Sequence, residues 1–445
     1  MVVTEIARKV RKAIPHLPWA ARHASHVFWR RGFARGWNYA RTLARTAEDG
    51  AGFDWPIYRA LPVHWVPYPH RIEVEVTTKC FLRCLKCEQR YWREPQRNMT
   101  YEEFVHILDQ FPNLSTVSMS GIGHNFQNLA FMPMLEYACS RNLFVQFFDT
   151  FLLLTEERAA QIVELGVSKI NMSLDGATKE VYERLQVGSN FQRVVGNARR
   201  LAQMKKETGS LQPEMAFTVV VTKYNQRQLP DFLDLVASIV GDSQKVTYIE
   251  FIRLIPFKEN RFLLPDFPVL EKARDDVLRR AAQMNGVGRA FLPDSAEQSA
   301  RNGRPTFRFA FNHFHPVLEK PPVSCCLEWI VPFITVHGTV YPCCALTEGN
   351  QRSRIEKYCM GNIYETPFRE IWNGPRYRRL KEMLRNGEVP PICNMFRECN
   401  AYATESAPSG PRTRDRGPRT GDDGPSSLVN GPSSMVIRRT GKSSF

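Results

Sequence analysis

Thr77-Thr78-Lys79-Cys80-Phe81-Leu82-Arg83-Cys84-Leu85-Lys86-Cys87 follows directly on an alternating run, Arg71-Ile72-Glu73-Val74-Glu75-Val76. Apolar residues alternating with charged ones at period two mark a β-strand, so three thiols fall on one compact loop at a strand's C-terminal end. The C-x3-C-x2-C spacing lets the three sulfurs converge on one inorganic centre. A structural zinc or a closed iron–sulfur cluster usually takes four protein ligands, so three leave one coordination position free. On a 4Fe–4S cluster, that open iron is a place for chemistry. Cysteine runs of this kind also serve zinc, with a fourth ligand from elsewhere such as His70.

Downstream of this loop the chain alternates helix and strand. Thr100 and Glu103 form a capping-box pattern, and Phe104, Ile107, Leu108 and Phe111 then keep helical spacing until Pro112-Asn113. Further strands are predicted over 114–120, 143–148, 169–174, 215–221 and 246–254, with helices between them, one over 128–141 and another from Thr155 to near Gly166. Strands alternating with helices argue for parallel βα units. Six such strands suit an α/β fold, a partial (β/α)6 TIM-type barrel, with its chemistry at the strands' C-terminal ends. A small cysteine-rich C-terminal domain would follow.

Together these features resemble the radical S-adenosylmethionine (SAM) superfamily. The resemblance implies that Cys80, Cys84 and Cys87 ligate a 4Fe–4S cluster whose fourth iron chelates the amino and carboxylate groups of SAM. One electron would then cleave SAM to methionine and a 5′-deoxyadenosyl radical that abstracts a substrate hydrogen. After the second strand, Ser120-Gly121-Ile122-Gly123-His124-Asn125 stands where the superfamily has a glycine-rich SAM-binding loop ending in Glu. Gly121 and Gly123 there let backbone groups approach a ligand closely, and His124 takes the place of the carboxylate. Asp149-Thr150 stands at the polar turn near SAM, and Ser173-Leu174-Asp175-Gly176 resembles the ribose-side segment. Thr150, Ser173 and Asp175 thus join the expected SAM contacts, and the run from Asn171 to Phe191 matches the superfamily as a block. Lys86 departs from it, since the superfamily usually has an apolar residue next to the adenine before the third cysteine.

The second cysteine group resembles the SPASM/twitch extension of these enzymes. It comprises Cys325-Cys326, Gly338-Thr-Val-Tyr-Pro-Cys343-Cys344, Cys359 and Cys393-x5-Cys399, with Gly361-Asn362-Ile363 and Ile371-Trp372-Asn373 between them. The resemblance implies an auxiliary 4Fe–4S cluster on Cys326, Cys343, Cys393 and Cys399, with Cys359 as the reserve ligand. It also implies an electron donor such as flavodoxin or ferredoxin, and a peptide, protein or small-metabolite substrate. Cys139, in an apolar helix, reads as core.

The 445 residues divide into a basic extension (1–70), the barrel (71–255), a bridging segment with one helix near 269–284 (256–318), the cysteine-rich domain (319–403) and a tail (404–445). Eleven cysteines at ligand spacing argue for metal in a reducing compartment. No secretory h-region is evident, and no uncharged run approaches the roughly 20 residues that span a bilayer, so a cytoplasmic address is expected. The formal charge is +15, of which residues 1–50 supply +7 and residues 404–445 supply +3. With little basic excess on the body, composition gives no strong argument for nucleic acid.

Residues 51–70, with Pro56, Pro62, Pro67 and Pro69, read as an extended lead-in. In the N-terminal arm, Ile6, Val10 and Ile14 repeat at helical spacing between Arg8, Lys9, Arg11 and Lys12. Such an arm can make a peripheral contact with an anionic membrane, or pack its apolar stripe on its own barrel. The tail, rich in Pro, Gly, Ser and Arg, cannot bury a core. Two other classes stand against the enzyme reading. One is a non-catalytic iron–sulfur or zinc scaffold; the other is a membrane- or RNA-associated protein using the basic tails.

Overall fold

The computed structural model describes residues 17–45, 62–91, 95–244, 246–254, 259–284, 306–312, 331–343, 356–386 and 388. Two helices, α1 (Leu17–Arg31) and α2 (Phe33–Arg45), come first. The six expected strands follow: β1 (Arg71–Val74), β2 (Thr116–Met119), β3 (Phe144–Asp149), β4 (Lys169–Ser173), β5 (Glu214–Val221) and β6 (Val246–Arg253). The helices between them are α3 (Tyr101–Asp109), α4 (Phe131–Ser140), α5 (Glu156–Leu165), α6 (Lys179–Leu185), α7 (Phe191–Glu207) and α8 (Asp231–Val240). Local chemistry sets their ends. Thr100 and Glu103 exchange both capping-box bonds at the start of α3, and α5 starts on Thr155 and stops on Gly166 in the left-handed conformation (φ 65°).

All six strands are parallel and lie in sequence order in one sheet. Right-handed crossovers between neighbours taken in one direction put every helix on the same side. The sheet therefore curls with helices outside and a lumen inside. The outward rows Ile72–Val74, Val145–Phe147, Ile170–Met172, Met215–Phe217–Val219 and Ile249–Phe251 are buried and apolar. Burial of each such side chain contributes roughly 1.5–3 kcal/mol. Two of the lumen rows are polar: Glu73 faces Ser118 and then Gln146, and Ser173 faces Thr218 and then Glu250. The outward half of this alternation fills the core, and the inward half is left for a ligand.

Two differences from the sequence reading appear at the sheet's edges. The helix of the bridging segment is present as α9 (Phe267–Met284), but the segment also supplies a seventh strand, β7 (Thr306–Asn312), parallel to β6. Phe307, Phe309 and Phe311 alternate there with Arg308 and Ala310. The rings of Phe311 and Phe309 stack with Phe251, at centroid separations of 5.5 Å and 6.3 Å, and Phe307 stacks on Phe309. Flanking prolines had masked a strand signal that was present. On the other edge, β8 (Phe333–Ile334) runs parallel to β1 and turns into β9 (Thr339–Tyr341), which pairs with β10 (Gly361–Asn362).

The N-terminal helices close the bottom of the barrel. Arg31 and Arg35 donate to the last carbonyls of α5, those of Val163, Leu165 and Gly166, at 2.6–2.9 Å. Asn38 donates to Ser115 O at 2.8 Å and Asn142 O at 3.0 Å, and Tyr39 packs on Phe144. Of the two readings of the arm, packing on the barrel holds for residues 17–45. Ile6, Val10 and Ile14 lie outside the described residues, as do 51–61 of the lead-in and the whole tail. No described helix is long and apolar enough to cross a membrane. Arg35 is buried and satisfies two helix-end carbonyls, so Arg35→Ala should cost about 2 kcal/mol. A thermal-shift assay in which the variant melts with the wild type would refute that contribution.

Candidate active site

The thiol loop is held from both sides before any ligand is considered. Thr77 bridges to Asn98, Thr78 N donates to Arg97 O at 2.9 Å, and Lys79 O accepts from His124 N at 2.8 Å. On the far side, Arg83 N donates to Val187 O and Leu85 N to Leu185 O, both at 2.9 Å. Cys80, Cys84 and Cys87 are half-buried, and burial pushes all three thiols up, Cys87 to about 12. Each of Cys84 and Cys87 also feels the charge of other thiols in the loop. Among the described residues, no three His, Cys, Asp or Glu side chains close on a point-sized ion. His70 sits at the opposite end of β1, where its Nδ1 meets Ser115 Oγ at 3.2 Å. Contrary to the zinc expectation, His70 therefore cannot complete a metal site on this loop.

The glycine loop after β2 lies against this frame. A Cβ at Gly123 would overlap the Thr77 carbonyl, and one at Gly121 would lie 2.5 Å from Glu75 Cγ. The glycines thus let the loop press on the strand that carries the thiols. His124 is buried, stacks on Phe81 with centroids 5.6 Å apart, and meets Thr150 Oγ1 through Nε2 at 3.1 Å. Its Nδ1 stands 3.4 Å from Asp149 Oδ2. Burial raises Asp149, and His124 opposes that rise. A carboxylate thus stands beside His124 although the loop itself has none. The resemblance to the superfamily's polar turn after the third strand points to Thr150, but pairing Asp149 with His124 requires the fold.

At the end of β4, Ser173 is half-buried on the lumen face, whereas Asp175 is fully buried. Asp175 is engaged on both oxygens: Oδ1 accepts from Val220 N at 3.0 Å, and Oδ2 accepts from Gln186 Nε2 at 2.7 Å and lies 2.6 Å from Lys86 Nζ. Of the six expected SAM contacts, Gly121, Gly123, His124 and Thr150 gather at one rim. Ser173 and Asp175 occupy the next strand's end.

Comparison with known proteins now decides the family. Residues 74–236 match the radical SAM superfamily, and residues 325–400 match the SPASM iron–sulfur cluster-binding domain. The chain is a radical SAM protein with a SPASM domain. A curated relative of this radical SAM protein is the tungsten-containing aldehyde ferredoxin oxidoreductase cofactor-modifying protein of Pyrococcus furiosus. It is 25% identical over 74% of this chain and 89% of its own length. The mycofactocin maturase MftC of Mycobacterium ulcerans is 24% identical over 76% of this chain and 83% of its own. Among solved structures, Streptococcus suis SuiB bound to SAM superposes with a TM-score of 0.54 at 15% identity, covering 75% of this chain and 76% of that one. That likeness supports the parallel barrel alone. As a radical SAM/SPASM enzyme the protein binds a 4Fe–4S cluster and SAM, and its C-terminal domain binds auxiliary iron–sulfur.

The SPASM match brackets all seven C-terminal cysteines. Cys326, Cys393 and Cys399 lie outside the described residues. Cys343 follows β9, and Cys359 precedes β10. The antiparallel register, Gly361 opposite Val340, brings those two cysteines to the same end of the ribbon. Arg376 donates to Cys359 Sγ at 3.2 Å. The sequence marks Cys359 as the reserve ligand, and its shared end with Cys343 depends on this strand register.

Gly123 gives a direct test of the loop's packing. Gly123→Ala should lower stability by about 1–3 kcal/mol, the usual cost of overpacking. Gly196→Ala, whose Cβ meets nothing within 4 Å on α7, should be neutral or stabilising in the same urea titration. Equal midpoints for the two variants would show that the close approach to Thr77 is not tight.

Proposed function

We propose that this enzyme modifies a peptide or protein by abstracting a hydrogen atom from it. Cys80, Cys84 and Cys87 would hold the SAM-binding cluster, and a flavodoxin- or ferredoxin-type donor would reduce it. Bound there, the cluster supplies the electron that cleaves SAM to a 5′-deoxyadenosyl radical. What supports the ligand assignment is the donor set: three half-buried thiols at C-x3-C-x2-C spacing on a loop pinned from both sides. Gly121, Gly123, Thr150 and Ser173 would receive SAM at the adjoining strand ends. Asp149, beside His124, would provide the carboxylate for its ammonium group. The peptide reading draws on relatives whose names state such substrates: the PqqA peptide cyclase of Bradyrhizobium diazoefficiens, and SuiB, solved with its precursor peptide SuiA. Cys343, with Cys326, Cys393 and either Cys399 or Cys359, would hold an auxiliary cluster.

Anaerobic reconstitution tests both cysteine groups at once. Cys80→Ala, Cys84→Ala and Cys87→Ala together should abolish 5′-deoxyadenosine release and leave the circular dichroism spectrum intact. Cys326→Ala, Cys343→Ala and Cys393→Ala together should remove about half of the bound iron while uncoupled SAM cleavage persists. Undiminished 5′-deoxyadenosine from the first variant would overturn the ligand assignment. Zinc in place of iron at the second group would make that domain structural only.

A specific surface favours an additional membrane contact. Trp29, Phe33 and Trp37 are 88%, 75% and 59% exposed on helices that contain six arginines and no acidic residue. The basic residues 1–16 lead directly into them. Aromatic side chains on a cationic surface suit an anionic lipid interface. The wild type should co-sediment with phosphatidylserine-containing vesicles in a salt-sensitive manner, and Trp29→Ser/Phe33→Ser/Trp37→Ser should not. Equal sedimentation of the two proteins removes this reading.

A further inference from the structure

Lys86, the residue just before the third thiol, stands where the superfamily usually has an apolar side chain. Its Nζ lies 2.6 Å from Asp175 Oδ2, with side-chain exposures of 18% and 0%. Asp175 is clamped by Val220 N and Gln186, and its carbonyl accepts from Asn225 at 2.8 Å. Asn260 holds the Lys86 carbonyl at 3.3 Å. The pair therefore joins the thiol loop to the end of β4 through groups that are themselves fixed.

Stability alone is a poor account of this pair. Desolvating two charges costs about as much as their attraction returns, so a buried ion pair is often no better than an apolar contact. An apolar residue at position 86 facing a neutral one at 175 would hold the loop as well. What the charges add is a field at the sulfurs. Lys86 is the chain neighbour of Cys87 and stands two residues from Cys84, so the two charges of the pair lie within the thiol loop and at its edge.

We propose that Lys86 and Asp175 are positioning residues that set the reduction potential of the cluster carried by the neighbouring thiols. Lys86 raises that potential, Asp175 lowers it, and the salt bridge fixes the balance between them. Reduction adds an electron to a site that thiolates already make anionic. A nearby cation stabilises the reduced form and a nearby anion destabilises it, and a low-dielectric surround strengthens both effects. The proposal rests on Cys80, Cys84 and Cys87 being the cluster ligands.

The test is a redox titration of the reconstituted full-length enzyme, following the electron paramagnetic resonance signal that responds to SAM. Iron content and melting temperature are measured on every variant. Lys86→Met should lower the midpoint and Asp175→Asn should raise it. Each change should be about tenfold in the one-electron equilibrium, or ~59 mV. The double variant should return close to the wild type, a compensation that loosened loop packing would not produce. Midpoints that stay put at equal iron content, or both move the same way, overturn the proposal. Should Lys86→Met fail to hold iron, Asp175→Asn and the double variant decide. A raised midpoint that the second substitution reverses supports the proposal, and an unmoved Asp175→Asn overturns it. A wild type without iron at Cys80, Cys84 and Cys87 instead fails the ligand assignment.

Discussion

A thiol sunk into protein resists losing its proton, and Cys80, Cys84 and Cys87 are all in that position. Such groups ionise when a cation stabilises the thiolate. The loop's conformation is held independently of any metal. Here the backbone does it, through Lys79 and His124 on one side and through Arg83 and Leu85 on Val187 and Leu185 on the other. Gly123 is required because that closure brings its loop onto the Thr77 carbonyl. The superfamily's glycine pattern thus has a packing cause in this chain in addition to any contact with SAM.

The same economy governs the barrel. Strands taken in sequence order place their helices on one side, so each strand must be apolar outward and is free to be polar inward. Glu73, Ser118, Gln146, Ser173, Thr218 and Glu250 line the inner rows, and none of these positions is needed for the outer core. Closing the bottom with α1 and α2 leaves the strands' C-terminal ends as the place where those inner rows meet the thiol loop. Arg31, Arg35 and Asn38 make that closure by donating to carbonyls at the end of α5, before β2 and before β3.

Most of the fold was legible because its signals are local. Period-two runs located six strands, Thr100 and Thr155 located helix starts, and Gly166 located a helix end. The C-x3-C-x2-C loop and the run from Asn171 to Phe191 carried the family. What was not legible depends on residues far apart in sequence. Phe307, Phe309 and Phe311 make sense as a strand only against Phe251 of β6. Lys86 reads as a departure and Asp175 as a ribose contact, and only the end of β4 brings the two within 2.6 Å. His124 likewise looked like a lost carboxylate, and the carboxylate of Asp149 is at its side.

Glu75 is where the sheet, the thiol loop and the glycine loop meet. It is 1% exposed, just past β1 and five residues before Cys80. Its N–H donates to Ile334 O at 2.9 Å, and its carboxylate accepts from Val336 N at 3.2 Å. Gly121 rests on its side-chain carbons. Arg97, whose carbonyl holds Thr78, reaches the same hairpin at Val336 O. The first hairpin of the SPASM domain is therefore a continuation of the barrel sheet, joined to it at the strand that presents the thiols. Cys343 lies two residues beyond β9 of that hairpin. A displacement of the hairpin would pull on Glu75, and Glu75 cannot move without disturbing both the thiol loop and the glycine loop. The position of Cys343 is thus mechanically tied to the site where SAM would bind, by hydrogen bonds that need no metal to form.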